Sequence, residues 1–340
     1  MRVTYLGTNG FQFESNGRAL LVDPYFSRVN LWRVAFGLQI EPDLVRIDQA
    51  MKHLAPNPDA ILVTHGHFDH LLDVPIVMSK TNARLIATAA AVNLVRRAGV
   101  PSRDAVTAGD VRQIGPWKIR ILSAAHDRLF GKVPFNGRER PGIRPPQRAA
   151  DWICGEPLAF LIEIDGQRIF IDSGGTPAIL PPADIGPVDL AILGAALPDS
   201  RARFPAVVRQ LRPRYVFPSH QDNFFRPLSA GFQFGPLTNF PGLLRDYGSQ
   251  ALPGQLILFD YFRPWTLPAA ANPEGQIPIK QSNPNDRKMG DVSKPRDLED
   301  RTFLFAESVR GFVKQLRTLS AEDRLPACAP QNLGIGFGTS

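Results

Sequence analysis

Cysteine is scarce in this sequence. Among 340 residues there are two cysteines, Cys154 and Cys328, and they lie far apart along the chain. Neither stands in a spacing typical of a zinc knuckle, and two distant thiols cannot build the disulfide framework of a small secreted domain. We therefore expect both side chains to be unpaired thiols.

Long apolar runs and long basic runs are also absent. No apolar stretch approaches the roughly 18 residues that a membrane-spanning helix needs. The first residues, 1–11, alternate like a strand and contain no signal-peptide core, which predicts a cytoplasmic protein without a transmembrane segment. The net charge of +7 suggests an anionic substrate or surface. Because no block of lysine or arginine is present, the sequence does not favour a nucleic-acid partner.

Histidine is scarce as well, but it is concentrated. Of six histidines in the chain, three fall within 65–70, directly after the short apolar run 60–63. Such a run is typical of a strand buried on both faces, and α/β sheets usually place their sites where such strands end. Imidazole and carboxylate ligands suit zinc, manganese or iron. This concentration disfavours the alternative of a polar loop that is rich in histidine by chance.

Other strand ends deliver similar side chains. The pattern in 2–25 predicts a three-stranded meander that ends at Asp23. Asp23 either orients a ligand imidazole or begins an Asp-Pro turn. His126, Asp172 and His220 each follow a further predicted strand. Further along the chain the pattern predicts a helix over 71–78 and a final strand over 255–262. The alternation of strands and helices along the chain predicts a layered α/β architecture.

Together these residues resemble the metal-binding motifs of the metallo-β-lactamase superfamily, over roughly residues 1–265. The opening 3–26 and the loop after His126 are similar to the branch that contains ascorbate-6-phosphate lactonase and N-acylphosphatidylethanolamine phospholipase D. The resemblance implies a four-layer αββα sandwich and two divalent ions, with zinc as the first choice and manganese or iron as alternatives. It implies these ligands: His65, His67 and His126 on one ion, Asp69, His70 and His220 on the other, and Asp172 bridging them.

The resemblance also implies an enzyme, a metal-dependent hydrolase. The expected nucleophile is a hydroxide formed when two ions lower the pKa of a bridging water to about 7. The expected catalytic residues are Asp69, Asp172 and His220. The expected substrate is a lactone, ester or phosphodiester within an anionic small or lipid-like molecule.

Three alternative functions are weaker. A nuclease is disfavoured by the missing lysine-rich arm and by the short interval between Asp172 and His220. Di-iron oxidoreductases of this superfamily replace the histidine at position 67 with glutamate, whereas this chain has His67. Non-catalytic relatives usually lose metal ligands, and all seven positions are retained here. The sequence leaves the oligomeric state open, including a homo-oligomer.

The loop after His126 carries a further prediction. The loop 127–151 is rich in proline and glycine and is either a basic lid over the site or a solvated surface loop. Its four candidate substrate-binding residues are Arg138, Arg140, Arg144 and Arg148.

The sequence after the hydrolase domain predicts a linker, a helix and a tail. We expect the domain to span 1–267 and a linker rich in proline and asparagine to span 268–296. Residues 297–320 form an amphipathic pattern that resembles the first helix of the four-helix-bundle family associated with ribosomal-RNA intervening sequences. The remaining helices of that bundle are missing, and 321–340 is predicted to be disordered.

Overall fold

The computed structural model describes residues 1–101, 104–137, 144–235 and 238–269. All of them lie in the first of two units into which the chain divides, Met1–Gly275. The predicted helix 297–320, the tail 321–340 and most of the linker 268–296 lie outside the described residues. The domain boundaries therefore stay predictions.

The described residues form thirteen strands and seven α-helices. The strands are β1 (Arg2–Gly7), β2 (Gly10–Ser15), β3 (Arg18–Val22), β4 (Ala60–Leu62), β5 (Arg84–Ile86), β6 (Val111–Ile114), β7 (Trp117–Ser123), β8 (Leu158–Ile164), β9 (Gln167–Ile171), β10 (Leu190–Gly194), β11 (Tyr215–Ser219), β12 (Gln255–Leu256) and β13 (Pro264–Thr266). The helices are α1 (Leu31–Ala35), α2 (Leu44–Met51), α3 (Phe68–Leu71), α4 (Val74–Thr81), α5 (Ala89–Arg97), α6 (Pro198–Leu211) and α7 (Phe240–Ser249).

The strands form two sheets that are built alike. The first has the order β13-β1-β2-β3-β4-β5, and the second has the order β12-β11-β10-β9-β8-β7-β6. In the first sheet, β1, β2 and β3 form an antiparallel meander, and β4 and β5 then add in parallel. In the second, β7, β8 and β9 form the corresponding meander, which β6 extends at the edge, and β10 and β11 add in parallel. The ends of the parallel strands in both halves are therefore available for a site.

Alternation of side chains within each strand explains the layers. In β3, Leu20 and Val22 face the core between the two sheets, whereas Leu21 packs with the helices on the outer face. On the other side, α6 and α7 pack their own apolar residues against the second sheet. Successive side chains of a strand point to opposite faces, so a strand covered on both faces is apolar throughout. The predicted αββα sandwich is confirmed.

Some elements differ from the sequence prediction. The single helix expected over 71–78 is two helices, α3 and α4, because α3 ends after one turn and a new helix starts with Pro75 in its first turn. The strand expected over 255–262 is only β12, and the chain then turns so that β13 can pair with β1. No described helix has the length and apolar character needed to cross a membrane.

Phe217 tests the core between the sheets. Its fully buried ring lies 4.5 Å from the ring of Phe259 and 5.1 Å from that of Tyr5, measured between centroids. We expect Phe217→Ala to lower the free energy of unfolding by about 3–5 kcal/mol, because it leaves a cavity. Phe36, whose side chain is 71% exposed, is the matched control. Urea unfolding should show a change within about 0.5 kcal/mol for Phe36→Ala; similar losses in both variants would contradict this packing.

Candidate metal centre

His65, His67 and His126 form the first group of candidate ligands. The first two follow β4 and the third follows β7, so the group joins the ends of one strand from each sheet. His65 Nε2 and His67 Nδ1 lie 3.0 Å apart. The ring of His126 lies 4.7 Å from the ring of His65 and 4.6 Å from that of His67. One nitrogen from each ring lies within 4.8 Å of the others, which is suitable for a common metal ion.

Asp69, His70 and His220 form the second group. The short helix α3 presents Asp69 and His70, and His220 follows β11 in the left-handed backbone region with φ 57°. His220 Nε2 lies 3.3 Å from His70 Nε2 and 3.2 Å from Asp69 Oδ2. The two groups adjoin, since the rings of His65 and His70 are 4.0 Å apart. Six of the seven predicted ligands are therefore brought together.

Hydrogen bonds on the outer ring nitrogens orient several of these histidines. His70 Nδ1 contacts Asp23 Oδ2 at 2.8 Å, and His67 Nε2 contacts the carbonyl oxygen of Pro134 at 2.9 Å. His126 Nδ1 contacts the carbonyl oxygen of Asp127 at 2.7 Å. Because each ring nitrogen with an acceptor carries the proton, the other nitrogen keeps its lone pair for the centre.

Burial keeps the first group neutral. It lowers the pKa of His67 to about 3 and that of His126 to about 4, and it lowers the pKa of His65 well below its usual value. Burial alone would raise the pKa of Asp69, but His70 and His220 hold it well below its usual range. The neutral imidazoles of the first group and the ionised carboxylate of Asp69 are donors that a divalent cation prefers. These residues fit a metal.

Asp23 has the contact that an orienting role requires. Besides His70 Nδ1, its Oδ2 accepts hydrogen bonds from Thr64 Oγ1 at 2.6 Å and Asn9 Nδ2 at 2.9 Å. Its side chain is fully buried, so the Asp-Pro turn does not account for it alone. The effect of Asp23 on metal binding stays a prediction.

Asp172 belongs to neither group of converging ligand atoms. Its Oδ2 accepts a hydrogen bond from Arg203 Nη1 at 2.7 Å. Its Oδ1 accepts from the backbone N–H groups of Gly174 at 3.1 Å and Gly194 at 3.3 Å. Within the described chain, no contact supports the bridging role that the resemblance implies, and that role stays a prediction.

The four loop arginines are only partly described. Arg138 and Arg140 lie outside the described residues. Arg144 and Arg148 are exposed, and their backbones contact the neighbouring surface: Arg144 O accepts from Arg97 Nε, and Arg148 forms a backbone bridge with Gln39. The basic-lid hypothesis therefore stays a prediction.

Sequence reasoning missed a buried ion pair beside His220. Arg28 Nη1 lies 2.8 Å from Asp222 Oδ2, and both side chains are fully buried. Asp222 Oδ1 accepts from Thr8 N at 2.9 Å, and Thr8 O accepts from His220 N at 2.8 Å. Arg28 and Asp222 are 194 positions apart, so no local pattern could have linked them. The pair ties the strained backbone at His220 to the turn between β1 and β2.

Aromatic rings wall the centre. The ring of Phe135 lies 5.9 Å from His67, and the ring of Phe224 lies 5.3 Å from His220. Both are 6.4 Å from the ring of Phe68, which is buried. Phe135 and Phe224 are only partly buried, so an apolar surface extends from the ligands towards solvent.

Comparison with known proteins identifies the family. The family model described as "Beta-lactamase superfamily domain" matches residues 2–220, and the chain belongs to this family. The chain is similar to a UPF0173 metal-dependent hydrolase of Desulforamulus reducens, at 25% identity over 66% of this chain and 86% of that protein. A UPF0173 metal-dependent hydrolase of Pelotomaculum thermopropionicum is 28% identical over the same shares.

A solved structure shares the fold. It is a metallo hydrolase from the archaeon Ignicoccus hospitalis, with a TM-score of 0.50 and 16% sequence identity. The similarity covers 78% of this chain and 97% of that one.

The Arg28–Asp222 pair generates a stability prediction. We expect Asp222→Ala to lower the free energy of unfolding by about 3–5 kcal/mol, because it leaves a buried guanidinium without its carboxylate. Glu14→Ala is the matched control, because Glu14 pairs with the exposed Arg2. Its loss, measured by the same denaturant titration, should be about 0–1 kcal/mol. If Asp222→Ala lowers the free energy of unfolding by no more than Glu14→Ala does, the buried pair does not stabilise the backbone at His220.

Proposed function

We propose that the protein is a metal-dependent hydrolase that cleaves a lactone, ester or phosphodiester bond in an anionic small or lipid-like molecule. The observation that carries this proposal is the pair of adjoining ligand groups, each built from three side chains. Membership of the beta-lactamase superfamily supports the hydrolase class, and so do the relatives that are named metal-dependent hydrolases.

The proposed cofactor is a pair of divalent ions, with zinc as the first choice and manganese or iron as alternatives. Bound there, such ions supply Lewis-acid chemistry that activates water and polarises a carbonyl or phosphoryl oxygen. His65, His67 and His126 would hold one ion, and Asp69, His70 and His220 would hold the other.

Of the three expected catalytic residues, Asp69 and His220 lie in a ligand group and are the ones we propose, whereas Asp172 is paired with Arg203. Asp69 stays ionised at neutral pH because its pKa is held low, and its Oδ2 lies 3.2 Å from His220 Nε2. An ionised carboxylate in this position can accept a hydrogen bond from water and orient it. Burial raises the pKa of the Cys154 thiol to about 12, which disfavours this residue as a nucleophile.

The aromatic walls bear on the substrate. Partly buried rings beside a polar centre suit an acyl or aromatic group next to the bond that is cleaved. The net charge of +7 favours an anionic group elsewhere on the same molecule. An amphiphilic ester or phosphodiester meets both requirements.

The proposal is tested by turnover with paired panels of lactones, carboxylic esters and phosphodiesters, with and without a chelator. We expect chelator-sensitive cleavage in one panel. His67→Ala should lower turnover by more than about 100-fold, which is the largest loss expected from removing a residue that only contacts a ligand. His53→Ala is the control, because the exposed His53 stacks on Phe262 and belongs to neither ligand group. Full turnover by His67→Ala would refute the site, and cleavage of RNA or DNA alone would favour the nuclease alternative.

Phe224 tests the apolar wall. We expect Phe224→Ala to raise KM for a long-acyl substrate by about 10-fold relative to a short-acyl one, because the acyl group loses its packing partner. Phe130→Ala is the control, since that ring is 93% exposed. Steady-state kinetics with an acyl-chain series measures the difference. An equal rise in KM for all chain lengths would place the acyl group elsewhere.

A further inference from the structure

Asp172 and Asp23 occupy equivalent positions in the two halves of the fold. Asp23 follows β3, the third strand of its meander, and its N–H donates to the carbonyl oxygen of Leu62 in β4 at 3.0 Å. Asp172 follows β9, the third strand of the other meander, and its N–H donates to the carbonyl oxygen of Ile192 in β10 at 3.1 Å. In both halves the acceptor belongs to the next parallel strand.

The carboxylate oxygens of Asp23 and Asp172 also have equivalent hydrogen-bond partners. Asp23 Oδ1 accepts from the N–H of Thr64, two residues after Leu62, at 2.8 Å. Asp172 Oδ1 accepts from the N–H of Gly194, two residues after Ile192, at 3.3 Å. The second oxygen then faces a side chain from a following helix: His70 of α3 for Asp23, and Arg203 of α6 for Asp172.

Both carboxylate oxygens of Asp172 already accept hydrogen bonds, Oδ2 from Arg203 Nη1 and Oδ1 from two backbone N–H groups. The Arg203 and Asp172 side chains are 5% and 0% exposed, and Arg203 Nε also donates to the carbonyl oxygen of Ile179 at 2.7 Å. A guanidinium stays charged in proteins. A divalent ion on the same carboxylate would therefore bring like charges together in a poorly solvated place, where their repulsion is strong.

The Asp172 turn nevertheless touches the centre. Gly174 N donates to Asp172 Oδ1, and Ser173 Oγ lies 3.5 Å from His65 Nδ1. The turn is packed so closely that a Cβ atom on Gly194 would lie 2.1 Å from the backbone carbon of Ser173. The Asp172–Arg203 pair therefore fixes a turn that lies behind one candidate ligand.

We propose that Asp172, held by Arg203, supports the turn behind His65 and does not bind metal, and that the metal centre is built from the other six side chains. The inference rests on the proposed metal-dependent function, but it changes the ligand set that the sequence resemblance implies. Asp172 and Asp23 differ in what they contact. Asp23 contacts a ligand directly, whereas Asp172 contacts the turn that lies next to a ligand.

Measurements of metal affinity distinguish metal ligands from residues that only support a ligand. Metal content and zinc affinity, by competition with a chromophoric chelator, are measured for wild type, His70→Ala, Asp23→Asn and Asp172→Asn. We expect His70→Ala to lose bound metal and Asp23→Asn to bind about 10–100-fold more weakly, whereas Asp172→Asn should lose less than about 10-fold. The visible spectrum of the Co²⁺-loaded protein, which reports the ligand set, should be unchanged in Asp172→Asn and altered in Asp69→Asn.

A double variant separates folding from metal binding. Asp172→Asn leaves a buried guanidinium without its carboxylate, so its urea midpoint should fall, and Asp172→Asn/Arg203→Met should recover it. The double variant should keep the wild-type metal content and Co²⁺ spectrum. Loss of an ion from a folded double variant would overturn the inference while leaving the proposed function intact. Wild-type protein that binds no metal would overturn the metal centre itself.

Discussion

The candidate site depends on hydrogen bonds that fix the outer nitrogens of its histidines. Asp23, Pro134 and Asp127 each provide an acceptor for one ring, and the opposite nitrogens are left to face one another inside the protein. Each acceptor keeps a proton on the outer nitrogen, which leaves the lone pair of the inner nitrogen for a cation. Burial then makes protonation unfavourable, so the first group stays a set of neutral donors.

The repeated build of the two sheets explains why the ligands meet. Each half contributes an antiparallel meander followed by parallel strands, and the apolar layer between the sheets brings the corresponding strand ends to one side. β4 delivers His65 and His67, β7 delivers His126, and β11 delivers His220. The same repetition places Asp23 and Asp172 alike, but their partners differ. One carboxylate serves an imidazole of the centre, and the other serves an arginine.

Much of this arrangement could be predicted because its signals are local. The apolar run before His65 and the meander that ends at Asp23 are visible in short windows of sequence. Contacts between distant residues could not be predicted in this way. Arg203 and Arg28 look like surface cations in sequence, and only tertiary packing buries them beside Asp172 and Asp222. The strand predicted over 255–262 was too long for a similar reason: only Gln255–Leu256 forms β12, and the chain then leads to β13, which pairs with the distant β1.

The central claim is that six side chains, without Asp172, hold the metal. Anomalous diffraction from crystals of the zinc-loaded protein tests it most directly. We expect peaks about 2.0–2.1 Å from imidazole nitrogens of His65, His67, His126, His70 and His220. We also expect a peak beside Asp69, with Asp172 still paired with Arg203. A zinc ion bonded to Asp172, with Arg203 displaced, would contradict the account, and so would the absence of zinc from both groups.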